Sequence, residues 1–371
     1  MRIAQIAPLY ESCPPQLYGG TERVVSYLTE ELVRLGHDVT LFASGDSQTK
    51  ARLVPGCKRA LRLDASVTDP LAYHMIMMGR VLQQAEEFDI LHFHTDYLHY
   101  PAFASGPHPI VTTLHGRQDL PDLPAVYREF CDTPLVSISN DQRKPLPRAH
   151  WIKTIHHGLP KDLLPYGKGD GGYLAFIGRV SPEKRLDRAI EIACAAGIPL
   201  KVAAKIDKAD TKYYHDVIEP MLCDGVEFIG EINEVQKRDF LGRASALLFP
   251  IDWPEPFGLV MIEAMACGTP VLAFNCGSVT EVLENGVTGV VVDSMDAAHA
   301  ALPEVLALDR KRVRAEFDRR FTAERMARDY LQLYENLTHT AAPLAKPFVK
   351  GAGELYPALD LAAAARAAAA V

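Results

Sequence analysis

Stretches with the character of buried strands alternate with stretches of helical period along nearly the whole chain, and this alternation admits few folds. Strand, helix, strand repeated in series is the pattern of a parallel sheet covered by helices on both faces. Strand candidates begin near Arg2, Val39, Ile90, Ile110 and Leu135, and again near Leu174, Leu200, Val226, Ala246, Val271 and Val290. Between the two series, Gly158-Leu159-Pro160 and the stretch PYGKGDGG from Pro165 to Gly172 make a polar, turn-rich linker. A chain of 371 residues has room for two domains, each with a full core. The expected division is a first Rossmann-like domain over 1–160, a linker over 161–172 and a second such domain over 173–320. Residues 321–338 read as a closing helix with Met326, Tyr330, Leu333 and Leu337 on one face. Residues 339–371 form an alanine- and proline-rich tail expected to be weakly held, with a short alanine helix near its end. Two doubly wound domains joined in this way face each other across a cleft, with both sets of strand ends against one ligand.

The most informative local pattern surrounds Phe257-Gly258-Leu259. Ala246 to Pro250 is strand-like, and Leu259 to Ala266 reads as a helix stopped by Gly268 and Pro270. Glu263 sits in that helix among apolar neighbours, where a buried carboxylate needs a partner. Glu255 lies in the stiff loop Pro254-Glu255-Pro256. The amides of Gly258, Leu259 and Val260 open the helix and suit phosphate, and Gly258 allows close approach. A carboxylate one to two turns on can accept both hydroxyls of a ribose, and one in the preceding loop can accept those of a sugar. Together they would hold a sugar nucleotide.

A second cluster points at the same anion. Tyr173 to Gly178 reads as a buried strand, followed by Arg179, Ser181 as a helix N-cap, Pro182 at the first helical position, and Lys184-Arg185 in the first turn. Cations there oppose the helix dipole unless an anion fills the gap, and a diphosphate would do so. Glu183 and Asp187 are available as surface partners, a reading that suits Arg185 better than Arg179 or Lys184. Near the start, Gly19-Gly20 precede a helix with Val24, Leu28, Leu32 and Leu35 on one face and Gly36 as its stop. No GxGxxG fingerprint follows the first strand, so a dinucleotide fold lacks its signature. His94 and His115 each end a β-like run, which puts both near the cleft, while His92 lies deeper on the same sheet face.

The Gly178-Arg179 to Lys184 segment, the Glu255 to Glu263 spacing around Pro-Phe-Gly, Gly-Thr-Pro-Val at 268–271 and GSVTEVLENGVTG at 277–289 resemble glycosyltransferase family 4, retaining enzymes of the GT-B fold. The resemblance runs from the first strand to about Leu337. It implies that Arg179 and Lys184 bind the donor diphosphate and Glu263 the ribose, and that Glu255 with the amides of Phe257, Gly258 and Leu259 contacts the transferred sugar and phosphate. By the same resemblance, Gly19-Gly20 close over the phosphates, His115 bonds the donor sugar near the reacting carbon, and His94-Thr95-Asp96 faces donor and acceptor. The terminal helix is implied to cross back to the first domain.

The reaction expected is transfer of a sugar from a nucleoside diphosphate sugar, a UDP-sugar before GDP-mannose, to an acceptor hydroxyl with retention, in glycan, glycolipid or small glycoside synthesis. His115, Glu255, Arg179 and Lys184 are its candidate catalytic residues. Two other classes fit parts of the pattern: a non-catalytic sugar-nucleotide-binding protein, which needs neither His115 nor Glu255, and an epimerase or phosphorylase on a related fold. The absence of Asp-x-Asp leaves no visible metal-ligand set, and no cofactor is expected beyond the co-substrate. A net charge of -8 argues against nucleic acid as a partner. Seven cysteines without a CxxC pair fit reduced, buried thiols. Without a signal peptide or a membrane-length apolar run, a cytoplasmic enzyme is expected. The interleaved Arg143, Lys144, Arg148, His150, Trp151 and Lys153 suit either a solvated loop or peripheral contact with the inner membrane face.

Overall fold

The computed structural model describes residues 1–16 and 19–340. Tyr18, beside the glycine pair, and the tail from 341 onward lie outside the described residues. Thirteen strands form two wholly parallel sheets among the described residues. The first contains β1 (Arg2–Ile6), β2 (Asp38–Ser44), β3 (Arg52–Cys57), β4 (Ile90–Phe93), β5 (Ile110–Thr113), β6 (Leu135–Ser137) and β7 (Trp151–Thr154). Their order is β3-β2-β1-β4-β5-β6-β7, with the winding direction changing beside β1. The second contains β8 (Leu174–Arg179), β9 (Leu200–Lys205), β10 (Val226–Phe228), β11 (Ala246–Phe249), β12 (Val271–Phe274) and β13 (Gly289–Val292), in the order β10-β9-β8-β11-β12-β13. Here the switch falls between β8 and β11, the two strands that feed the Arg179 and Glu255 loops.

Two strands were not expected, and they are the edges of the first sheet. β3 carries Pro55 and Gly56, which interrupt any strand pattern but are tolerated where only one side is paired. β7 arises from Trp151-Ile152-Lys153-Thr154, in the interleaved basic and aromatic stretch. The side chains of that stretch are partly tied down. Arg143 lies over the Trp151 ring at 5.6 Å, His150 Nδ1 is 2.9 Å from the Asp132 carbonyl, and Lys153 donates to the Asp329 carbonyl at 3.3 Å.

The last helix, Ala323–Thr340, packs on the first sheet. Its Met326, Tyr330 and Tyr334 are buried among Ile3, Val24, Leu28 and Ile90, each contributing about 1.5–3 kcal/mol of apolar burial. The chain therefore passes between the lobes twice. The two passages run side by side: Leu159 N–H donates to the Phe321 carbonyl at 2.9 Å and Ala323 N–H to the Leu159 carbonyl at 2.7 Å. Burial of thiols is only partial: Cys13, Cys57 and Cys267 are buried, but Cys131, Cys194 and Cys223 are exposed. No helix among the described residues is long and apolar enough to cross a membrane.

Candidate active site

A cavity of about 760 Å³ lies between the carboxyl ends of the two sheets. From the first lobe it is walled by Gly19 and Gly20 at the start of helix Gly20–Arg34, by His94 and Asp96 after β4, and by His115 after β5. The second lobe contributes Arg179 at the end of β8 and Lys184 just after it, then Glu255, Phe257, Gly258, Leu259 and Glu263 after β11. The candidate catalytic, donor-binding and acceptor-contact residues read from the sequence all line this one space, whereas Arg185 and the Arg143 to Lys153 patch do not.

Helix Leu259–Ala266 begins at the cavity wall. Gly258 has φ 79°, and a Cβ there would lie 2.8 Å from Met261 Cε, so this turn accepts only glycine without rearrangement. Met261 N–H bonds the Gly258 carbonyl at 3.0 Å, while the amides of Leu259 and Val260 precede the first intrahelical bond and present the positive end of the dipole. Glu255 is held from both sides. Trp253 Nε1–H donates to its Oε2 at 3.1 Å, Lys184 makes a short ion pair with the same oxygen, and Ser278 N–H donates to its backbone carbonyl at 3.0 Å. Gly277, at φ 60°, lets that turn close: a Cβ would lie 2.4 Å from Glu255 N. The ammonium of Lys184 also sits 4.8 Å over the Trp253 ring.

The segment after β8 departs from expectation. Ser181 does not cap a continuous helix; Pro182–Lys184 is a single 3-10 turn, Arg185 follows in the left-handed region at φ 54°, and the long helix Leu186–Ala196 starts only then. Two carboxylates hold Arg185 there, Asp187 at 2.8 Å and Asp252 at 2.7 Å. Lys184 is thus outside the first turn of the long helix, and the dipole argument does not apply to it. Arg179 faces the cavity, but its guanidinium also donates to Glu183 at 2.7 Å, so the surface partner set aside for Arg179 does engage it.

The buried Glu263 has the partner its surroundings demand. Lys237 Nζ, on helix Glu234–Arg243, donates to Oε1 at 2.7 Å, with only 10% and 6% of the two side chains exposed. Among the described residues the other carboxylate oxygen has no protein donor. Lys237 lies 3.6 Å from Glu234, which is ion-paired with Arg23 of helix Gly20–Arg34. An alternating chain of charges therefore runs from the first lobe to Glu263. Neither Lys237 nor Arg23 stood out in the sequence, because each is one cation among several charged neighbours and only the fold shows which turns inward.

The histidines form a second network. His94 Nε2 lies 2.8 Å from Gln5 Oε1, and His94 Nδ1 lies 2.8 Å from His115 Nε2. With Gln5 Nε2–H donating to Tyr334 Oη at 3.0 Å, the Gln5 oxygen accepts from His94 Nε2–H, and His94 Nδ1 then accepts from His115 Nε2–H. His115 Nδ1 is left as a buried acceptor without a partner among the described residues. Burial holds the His115 pKa down to about 3 and those of His94 and His157 well below the usual imidazole value, so all three are neutral at pH 7. His157, which sequence reasoning missed, stacks on His115 with ring centroids 5.2 Å apart and meets Phe257 edge-on. His92 is a core residue: its two nitrogens are 2.6 Å from Tyr334 Oη and 2.7 Å from Thr113 Oγ1. Among the described residues no three His, Cys, Asp or Glu side chains gather as a metal-ligand set.

Residues 18–158 match the model of Glycosyltransferase Family 4 and residues 166–320 that of Glycosyl transferases group 1, so the two together span most of the chain. The chain belongs to glycosyltransferase family 4. A glycogen synthase of Mycobacterium tuberculosis is 26% identical, covering 89% of this chain and 94% of its own. Two solved GT-B structures share the fold. The glycosyltransferase AviGT4, involved in avilamycin A biosynthesis, superposes with a TM-score of 0.72 at 24% identity over 92% of this chain and 98% of its own. HepE of Anabaena, solved with UDP and glucose, gives 0.70 at 17% identity over 91% and 100%. The family resemblance and the fold class expected from the sequence are borne out, and this glycosyltransferase has the GT-B architecture of two facing α/β lobes.

Proposed function

We propose that this glycosyltransferase moves a sugar from a nucleoside diphosphate sugar to an acceptor hydroxyl with retention at the anomeric carbon. The observation that carries this reading is the convergence of Arg179, Lys184 and the first amides of helix Leu259–Ala266 on one cavity that Glu263 and His115 also line. Cations and helix amides suit a diphosphate, and the unengaged oxygen of Glu263 suits a ribose hydroxyl. A UDP-sugar is favoured over GDP-mannose, in keeping with the UDP bound by HepE.

In the proposed reaction the bond from the anomeric carbon to the diphosphate oxygen breaks and a bond from that carbon to the acceptor oxygen forms on the same face. The acceptor proton passes to the departing phosphate oxygen. Charge growing on the diphosphate is met by Arg179, Lys184 and the amides of Gly258 and Leu259 in their preorganised setting, with no metal required. Engaging the diphosphate would draw Lys184 from Glu255 and Arg179 from Glu183, freeing Glu255 to accept sugar hydroxyls. His115, neutral and on the cavity wall, packs against the donor sugar near the reacting carbon. Gly19 and Gly20 let the first lobe's backbone approach the phosphates.

The test is donor breakdown by purified variants. Arg179→Ala and Lys184→Ala should each lower kcat/KM for the donor about 100-fold or more while the folded state persists by circular dichroism. Near-parental turnover in either would refute the assignment of that cation.

A further inference from the structure

The first lobe's share of the cavity has a composition that the donor does not explain. Tyr10 and Tyr97 line it with 43% and 40% of their surface exposed, so both present aromatic surface to a ligand. Between β4 and the following helix, Asp96 lies on the same wall at φ 50° and makes no hydrogen bond or ion pair among the described residues. It is exposed by area, yet protein crowds it on the remaining sides, and the lost hydration raises its carboxyl pKa. The arginines of this wall are already matched: Arg62 with Glu11 at 2.9 Å, Arg117 with Asp119 at 2.6 Å, and Arg23 with Glu234. A wall that offers aromatic faces and an unengaged carboxylate attracts hydroxyls, and that carboxylate disfavours an anion beside it.

We propose that the acceptor is an uncharged polyhydroxylated compound, a sugar or glycoside, whose ring lies against these tyrosines and whose hydroxyl donates to Asp96. This rests on the reading of the cavity as a donor site. A phosphorylated sugar or a phosphoinositide would bring its negative charge beside Asp96, which has no cation partner among the described residues to offset it.

The experiment uses the full-length protein and reads nucleoside diphosphate release from UDP-glucose, UDP-galactose, UDP-N-acetylglucosamine and GDP-mannose, first without acceptor. The best donor is then given maltotriose and neutral p-nitrophenyl glycosides, and in parallel glucose 6-phosphate and phosphatidylinositol vesicles. The expected result is that a neutral compound accelerates release about tenfold or more over the acceptor-free rate and over both phosphorylated probes. Asp96→Asn, which tolerates the left-handed backbone, and Tyr97→Ala should each raise the KM for that acceptor about 10- to 100-fold, with the loss in the acceptor KM and not in the donor KM. Donor breakdown that responds best to a phosphorylated probe, or to no neutral compound, overturns this proposal alone. Absence of both breakdown and binding with every donor brings down the donor reading and this one with it.

Discussion

Replacing Lys237 with methionine isolates the cost of the charge at the heart of the proposed ribose site. The 2.7 Å pair with Glu263 is nearly sealed, with 10% and 6% of the side chains exposed. Removing one member of such a pair leaves a charge stranded, at a cost of about 3–5 kcal/mol. Glu234 adds little to this, since Arg23 still neutralises it. At ~2–4 °C per kcal/mol, Lys237→Met should lower the melting temperature of the second lobe by about 6–20 °C. Lys237→Met combined with Glu263→Leu should recover most of that loss, because a buried pair and well-packed apolar groups are nearly equivalent. Nucleotide binding should separate from stability: the double variant regains the fold but not affinity for UDP, read by calorimetry. The reasoning fails if Lys237→Met costs less than ~1 kcal/mol in urea denaturation, the range of exposed pairs. It fails equally if the double variant binds UDP as tightly as the parent.

Acid should destabilise the protein already above the ordinary carboxylate range. His115 has a folded pKa of about 3, so the folded state binds fewer protons than the unfolded chain once the pH drops below the unfolded value of ~6.5. This residue alone predicts a loss of about 2 kcal/mol between pH 7.5 and pH 5, continuing until the pH reaches the folded value, and His94 and His157 act in the same direction. Urea midpoints that stay constant from pH 7.5 to 5 would contradict the burial of this cluster. Gln5→Met keeps the length of the side chain but removes the acceptor that orients His94, so kcat should fall about 10- to 100-fold with little change in donor KM. Parental kcat would show that the Gln5-His94-His115 chain does not position the ring.

Much of this was legible in the chain, for reasons that can be named. Strands buried on both faces announce themselves as apolar runs, so every interior strand was found; β3 and β7 escaped because edges tolerate Pro55, Gly56 and Lys153. Glu263 was legible because an acid among apolar neighbours violates periodicity. Lys237, its partner 26 positions earlier, breaks no pattern and becomes visible only when two helices meet. Ser181-Pro182 followed by charged residues carries every mark of a helix start, yet the helix begins after Arg185, whose left-handed backbone is held by two carboxylates, one of them 67 positions away. Local signals fix local conformation unless a distant group competes, and at this site one does.

The paired backbone crossing at Leu159 and Phe321-Ala323 has a mechanical consequence. Two adjacent straps fastened to each other act as a door hinge: they resist twisting and sliding of the lobes and leave a swing about their common line as the soft motion. Widening or narrowing of the cavity then amounts to the swing of a single leaf, and a mutation that unfastens the straps would let the jaws wander without touching any residue of the cavity wall.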